Sequence, residues 1–155
     1  MNAVKLKAWL CLKSAPELSL RASLELLKRY PDPCEFVGQP EHEIYVSGSL
    51  KTATADYLSQ ATLPPSTAHA LGLMNHHQIK YLCYSDADYP PTLKAIVDPP
   101  LILYYRGDLL SSLLSICLGV VGTRKPSAYG NEMCRKLLLP ICERGVTIVS
   151  GLASG

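Results

Sequence analysis

Two short runs of small residues late in the chain are the ones best suited to chemistry. The first is Gly122-Thr123-Arg124-Lys125 with Tyr129-Gly130 behind it; the second is Ser150-Gly151-Leu152-Ala153-Ser154-Gly155. Glycine and serine leave backbone N–H groups open to an approaching oxyanion, and a guanidinium beside them can grip phosphate through two parallel hydrogen bonds. Lys125 adds a less directional charge, and Tyr129 offers a ring on which a base could stack. These types and spacings point to a phosphate-bearing ligand, held by Gly122, Thr123, Arg124, Lys125, Tyr129, Gly130, Ser150, Gly151, Ser154 and Gly155. The run is neither a Walker A loop, which needs Lys followed by Ser or Thr after its second glycine, nor a GxGxxG fingerprint. No nucleophile with a neighbouring base stands out, so no catalytic residue is assigned.

These turns need elements to place them. Ile116 to Val121 is short and β-branched and ends at Gly122, which predicts a strand buried on both faces of a parallel sheet. A helix should follow, with Ser127 as its N-cap, a sheet-facing stripe at Met133, Leu137 and Ile141, and its end at Gly145. Pro140 should kink that helix or lie near its end. Val146 to Val149 reads as a second buried strand. Ligands of open parallel sheets bind beyond the carboxyl ends of the strands, where both glycine turns would lie side by side.

Composition bounds the rest. A chain of 155 residues with 48% hydrophobic content can bury a core in one domain or two small ones, and no apolar run is long enough for a membrane helix. The N-terminal apolar patch is interrupted by Lys13 and continues a helical pattern, against a signal peptide. The six cysteines form no CxxC pair, which argues against zinc and against a disulfide framework; Cys117, Cys134 and Cys142 are expected as reduced core residues of a cytoplasmic protein. No metal or cofactor is expected. The net charge of +2 is unevenly spread: Arg124, Lys125, Arg135, Lys136 and Arg144 stand with only Glu132 and Glu143 in the last stretch.

Upstream, residues 4–13, 19–30, 49–62 and 66–75 read as helices, with a loop of short helical turns over 34–48. Pro31 and Pro33 stop the second helix, Ser49 starts the third and Pro64-Pro65 breaks it. The turn from Lys13 to Leu18 contains no glycine, so it is read as packing and not as a phosphate-binding hairpin. Adjacent His76 and His77 would point to different sides of a helix, which argues against a metal site with His69. Ile79 to Tyr84 and Leu101 to Tyr105 read as strands, joined through turns that hold Asp86, Asp88 and Asp98-Pro99-Pro100. Asp86 and Asp88 are read as turn residues, not as an acid/base pair.

Several of these landmarks occur together in one family. Tyr89-Pro90, Leu93, Ile96, Asp98-Pro99-Pro100, Leu103-Tyr104-Tyr105-Arg106-Gly107, Gly122-Thr123-Arg124, Tyr129-Gly130 and Thr147 through Gly155 resemble the DNA-processing protein A (DprA/Smf) family of bacterial natural transformation. The resemblance covers residues 81–155 and implies an α/β fold. A small helical, sterile-alpha-motif-like domain over 1–77 would precede an incomplete, extended Rossmann-like domain with a parallel sheet over 78–155. It further implies a cytoplasmic, non-enzymatic protein that binds and protects single-stranded DNA, loads the RecA recombinase onto it, and is a homodimer when full length. Family members continue beyond the position of Gly155, so the chain reads as an N-terminal portion whose groove is incomplete and which binds DNA weakly. The alternative reading is a nucleotide-processing enzyme similar to the phosphoribohydrolases, which also hold a nucleotide phosphate at a Gly/Ser turn after a strand.

Overall fold

The computed structural model describes residues 3–63, 65–109 and 116–151. The fold is mixed α/β and divides into two compact units, Met1–Arg106 and Gly107–Gly155. The first unit is built on helix α1 (Ala3–Ser14), in which Leu6, Ala8, Trp9, Leu10, Cys11 and Leu12 are all buried. Apolar residues on nearly every side are what a helix at the centre of a core requires, and this explains why no single stripe is legible in its sequence. Around it lie α2 (Leu20–Arg29), a single 3-10 turn (Pro33–Glu35), α3 (Glu43–Val46), α4 (Thr52–Gln60) and α5 (Pro65–His76). Phe36, Ile44 and Leu58 close the core from these elements.

Local chemistry sets the helix ends. Ser19 caps α2 by accepting a hydrogen bond from the Ala22 amide at 3.2 Å, and the helix stops before Pro31 because the preceding residue, Tyr30, is forced out of the helical region, to φ −128° and ψ 87°. Helix α4 starts later than expected: Lys51 is its N-cap residue and donates no side-chain cap, while the Ser49 hydroxyl is engaged with that of Ser47 at 2.7 Å. The glycine-free turn after α1 is packed down, with Ala15 buried and the Thr54 hydroxyl donating to the Pro16 carbonyl at 2.7 Å.

Helix α5 ends in a Schellman motif: the Gln78 amide bonds the Asn75 carbonyl at 3.2 Å and the Ile79 amide reaches back to Met74 at 2.9 Å. Gln78 is thereby held at φ +54°, a left-handed position that glycine fills at less cost.

Two antiparallel strands, β1 (Lys80–Cys83) and β2 (Ile102–Tyr105), pair in register from Lys80↔Tyr105 to Cys83↔Ile102. Cys83, Leu101 and Ile102 belong to the same buried cluster as Trp9, so residues 80–105 pack with the helical unit. Between the strands runs α6 (Pro91–Lys94). Here Tyr89 is 1% exposed and donates its phenol hydrogen to the Pro100 carbonyl at 2.7 Å, tying the Tyr89-Pro90 turn to the Asp98-Pro99-Pro100 turn. Asp86 is structural too. One of its oxygens accepts from the Cys83 amide at 2.8 Å, and the other pairs with the Lys5 ammonium of α1.

The second unit holds β3 (Cys117–Gly119), α7 (Ala128–Cys142) and β4 (Thr147–Val149), with β3 and β4 parallel. Its packing differs from expectation. Strand β3 is exposed along its length, and Cys117, Cys134 and Cys142 are exposed as well; the buried thiols are those of Cys11 and Cys83. The expected stripe on α7 is only partly covered, since Met133 and Ile141 are half-buried but Leu137 is 62% exposed. Dimensions explain this. Among the described residues the sheet of this unit has only two strands of three residues each, about 10 Å long, which gives a 15-residue helix of about 22 Å little surface to pack on. Pro140 sits in the last turn of α7, two residues before its end, and the amide it lacks would have bonded the Lys136 carbonyl.

Three outcomes test this packing. Replacing Gln78 with Gly should raise the unfolding free energy by about 0.5–1 kcal/mol in urea titration, because the left-handed penalty disappears. Alkylation of the native protein should modify Cys117, Cys134 and Cys142 rapidly and spare Cys11 and Cys83 until urea is added. Burial pushes the Cys83 thiol up to about 12 from 9.0 and the Cys34 thiol up to about 11, and it pushes Tyr45 and Tyr89 up to about 12 from 10.0. Each folded value lies above the unfolded one, so the associated stability is complete below about pH 9 and is lost as pH rises through 11 to 12. The urea midpoint should therefore hold to about pH 9 and fall steadily above it; a constant midpoint through pH 11 contradicts this assignment.

Candidate phosphate-binding groove

The parallel register Cys117↔Thr147, Leu118↔Ile148 and Gly119↔Val149 makes both strands of the second unit end at the same edge. The ladder extends one bond further, from the Val120 amide to the Val149 carbonyl at 2.8 Å, so the chain leaves the sheet at Val120 beside Ser150. The first turn then leads to Ser127, whose extended backbone (φ −77°, ψ 161°) and side-chain oxygen, accepting from the Gly130 amide at 3.1 Å, start α7. Within the turn the Thr123 hydroxyl accepts from the Lys125 amide at 3.3 Å. Helix α7 ends as the sequence implies: Gly145 is at φ +82°, and the Gly145 and Val146 amides return to Cys142 and Ile141 in another Schellman motif.

A groove of about 460 Å³ opens between these pieces. Val120, Val121, Gly122 and Thr123 form one wall, Ser150 closes the sheet end, and Ser127, Gly130, Asn131, Cys134, Leu137 and Leu138 of α7 form the other. Of the residues singled out from sequence, Gly122, Thr123, Gly130 and Ser150 are thus brought together. Arg124, Lys125 and Tyr129 lie outside the lining, and each is exposed, Tyr129 to 71%. Gly151 follows Ser150 and is exposed; Ser154 and Gly155 lie outside the described residues.

The groove also uses residues that sequence reasoning passed over. Asn131, Cys134 and Leu138 follow Ser127 at four, seven and eleven positions, one face of a helix, and that spacing was the signal that could have found them.

Electrostatically the groove edge is open to an anion. Arg124 and Lys125 make no ion pair among the described residues, whereas Lys136 is held by Glu132 at 2.7 Å one turn away. Neither Gly122 nor Gly151 is in a left-handed conformation, and a Cβ added at either would meet nothing within 4 Å. Gly122 is therefore not required by a left-handed backbone; its missing side chain leaves the groove wall unobstructed.

A parallel strand pair joined by a helix, with a groove at its carboxyl edge, defines an α/β unit. Comparison with known proteins narrows that class. Residues 80–155 match the family described as DNA recombination-mediator protein A, and through this segment the chain belongs to the DprA/Smf family. It is 37% identical over 113 residues to the DNA processing protein DprA of Bacillus subtilis, covering 68% of this chain and 38% of that protein. It is 42% identical over 88 residues to the protein Smf of Synechocystis sp., covering 53% and 22%, and 44% identical over 82 residues to the protein Smf of Escherichia coli, covering 52% and 21%. The chain spans 38% or less of the length of these relatives. Among the described residues no helix is long and apolar enough to cross a membrane.

The cap at the head of α7 carries a prediction. Ser127→Ala should cost about 1 kcal/mol in urea unfolding, and Ser127→Gly only a few tenths, because a helix start tolerates glycine better than alanine.

Proposed function

We propose that this protein binds single-stranded DNA at the β3–α7 groove, protects it, and helps load the RecA recombinase during DNA uptake in natural transformation, acting in the cytoplasm as a homodimer. The observation that supports the reading is the parallel register that ends β3 and β4 at one edge, with Gly122, Thr123 and Ser150 lining the same groove. In this reading backbone amides near Gly122, Thr123, Ser150 and Gly151 face a backbone phosphate, Arg124 grips it in bidentate fashion, and Lys125 adds charge. Tyr129 and Gly130 flank the strand's path, and the reading also assigns Ser154 and Gly155 to the site. The relatives named for DNA processing support a nucleic acid over a free nucleotide. The same proposal reads residues 1–77 as a sterile-alpha-motif-like domain and 78–155 as Rossmann-like. It assigns binding and positioning of DNA, and no bond-making step, to this protein.

Fluorescence anisotropy with a labelled oligodeoxythymidine across a salt series tests the proposal. Affinity should fall linearly on a log–log salt plot, and Arg124→Ala should weaken binding about tenfold and reduce the slope by about 0.7, the share of one phosphate contact on a single strand. Binding or hydrolysis of a nucleoside monophosphate in the absence of oligonucleotide binding would replace this reading with a phosphoribohydrolase-like enzyme.

A further inference from the structure

The first unit carries a second cationic concavity, made by α2, the turn after β1 and the end of α6. Its volume is about 240 Å³, and Arg21, Glu25, Lys28, Tyr84, Ser85 and Lys94 supply its polar lining. Lys94 is the unusual member. Its ammonium lies 5.3 Å from the centroid of the Tyr84 ring and 5.6 Å from that of Tyr89, and the two rings are themselves 5.5 Å apart. Tyr89 cannot move away, because it is buried and tied to Pro100. The rings hold the cation in place without neutralising it, and among the described residues no carboxylate pairs with Lys94.

The surrounding charges are unbalanced in the same sense. Arg21 is exposed and has no ion pair among the described residues, and Lys28 is paired with Glu25 at 2.8 Å on the exposed face of α2. Three cations thus converge on a cavity that holds one carboxylate, and the Ser85 hydroxyl is a further donor beside them. Glu25 is hydrogen-bonded to Lys28 and feels Arg21 only as a weaker charge, and it has no pairing with Lys94. An anion with several oxygens on one centre can take donors from more than one of Arg21, Lys28 and Lys94, which favours phosphate over an acidic side chain.

We infer that this concavity takes a backbone phosphate of single-stranded nucleic acid, as a contact separate from the Arg124 turn. The identity of the polymer rests on the function proposed above; the anion site itself rests on the placement of Lys94, Arg21 and Lys28. The contact reads no base, so it is independent of sequence.

The test is anisotropy with labelled oligodeoxythymidine across a salt series, on the parent and on Arg21→Ala, Lys94→Gln, Lys94→Arg, Glu25→Gln and Arg124→Ala, each shown to be folded by urea unfolding. Arg21→Ala and Lys94→Gln should each weaken binding about threefold to tenfold and lower the salt slope by about 0.7, and Lys94→Arg should retain binding. Glu25→Gln should tighten binding about twofold to threefold, because it frees Lys28; a purely structural patch would not respond in this direction. Parent-like binding by Arg21→Ala and Lys94→Gln beside an impaired Arg124→Ala overturns this site and leaves the β3–α7 groove standing. The reverse pattern supports this site and removes the groove. Polyglutamate binding that is lost in the two variants, with oligonucleotide binding unchanged, overturns the inference in favour of an acidic peptide.

Discussion

The second unit depends on one constraint, the parallel register between β3 and β4. Because Gly119 stands opposite Val149, the amide of Val120 completes the ladder and the two chains leave the sheet as neighbours. A slip of one residue would move Ser150 away from Val120 and reverse which face each strand side chain occupies. The cap at Ser127 then fixes where α7 begins, and with it which helix face looks across at the turns. The groove is therefore a product of backbone pairing more than of side-chain packing. That is consistent with how little of β3 and α7 is buried.

In the first unit the residues that carry the family resemblance are mostly staples. Tyr89 and Pro100 join two proline-rich turns through one buried hydrogen bond, and Leu101 and Ile102 lie in the cluster around Trp9. Asp86, whose spacing from Asp88 raised the question of acid/base work, is held by the Cys83 amide and Lys5. Its hydrogen bond with Asp86 raises the Lys5 ammonium above its usual value, the signature of a stabilising pair and not of a proton shuttle. Charge left over after such pairing is more informative than charge counted from the sequence. Lys136, Lys28 and Lys51 have carboxylate partners, while Arg124, Arg21 and Lys94 have none among the described residues.

Legibility followed periodicity and caps. Leu20, Leu24 and Leu27 announce α2, Ser127 and Gly145 bracket α7, and the β-branched runs announce β3 and β4, all close to where they occur. Burial in the second unit was not legible, because apolar content says which residues prefer cover and not how much sheet exists to provide it. The site was legible in its two turns and not in its helix wall. Small residues signal themselves, whereas Asn131, Cys134 and Leu138 acquire meaning only when one face of α7 is known to look on Gly122 and Ser150. Pairing of residues 80–105 with the helical core was hidden for a similar reason: antiparallel strands read alike whichever partner covers them.

Glycine placement in this chain follows backbone conformation only in part. Left-handed positions, where glycine is favoured, are occupied at Glu17, Ala61 and Gln78 by residues that adopt that region at a cost of about 1 kcal/mol each. Ala61 and Gln78 sit there because hydrogen bonds at the ends of α4 and α5 hold them. Gly38, Gly48, Gly107 and Gly145 do fill such positions, whereas other glycines, Gly72 of α5 among them, have ordinary angles and open space where a Cβ would stand. Gly119, Gly122 and Gly151 have ordinary backbone angles, and a side chain at any of them would project into open space. A sequence shaped by the stability of these units alone would place glycine at 78 and a β-branched residue at 119. Of Gly119, Gly122 and Gly151, Gly122 lines the groove, and its missing side chain leaves the wall beside Thr123 and Ser150 unobstructed.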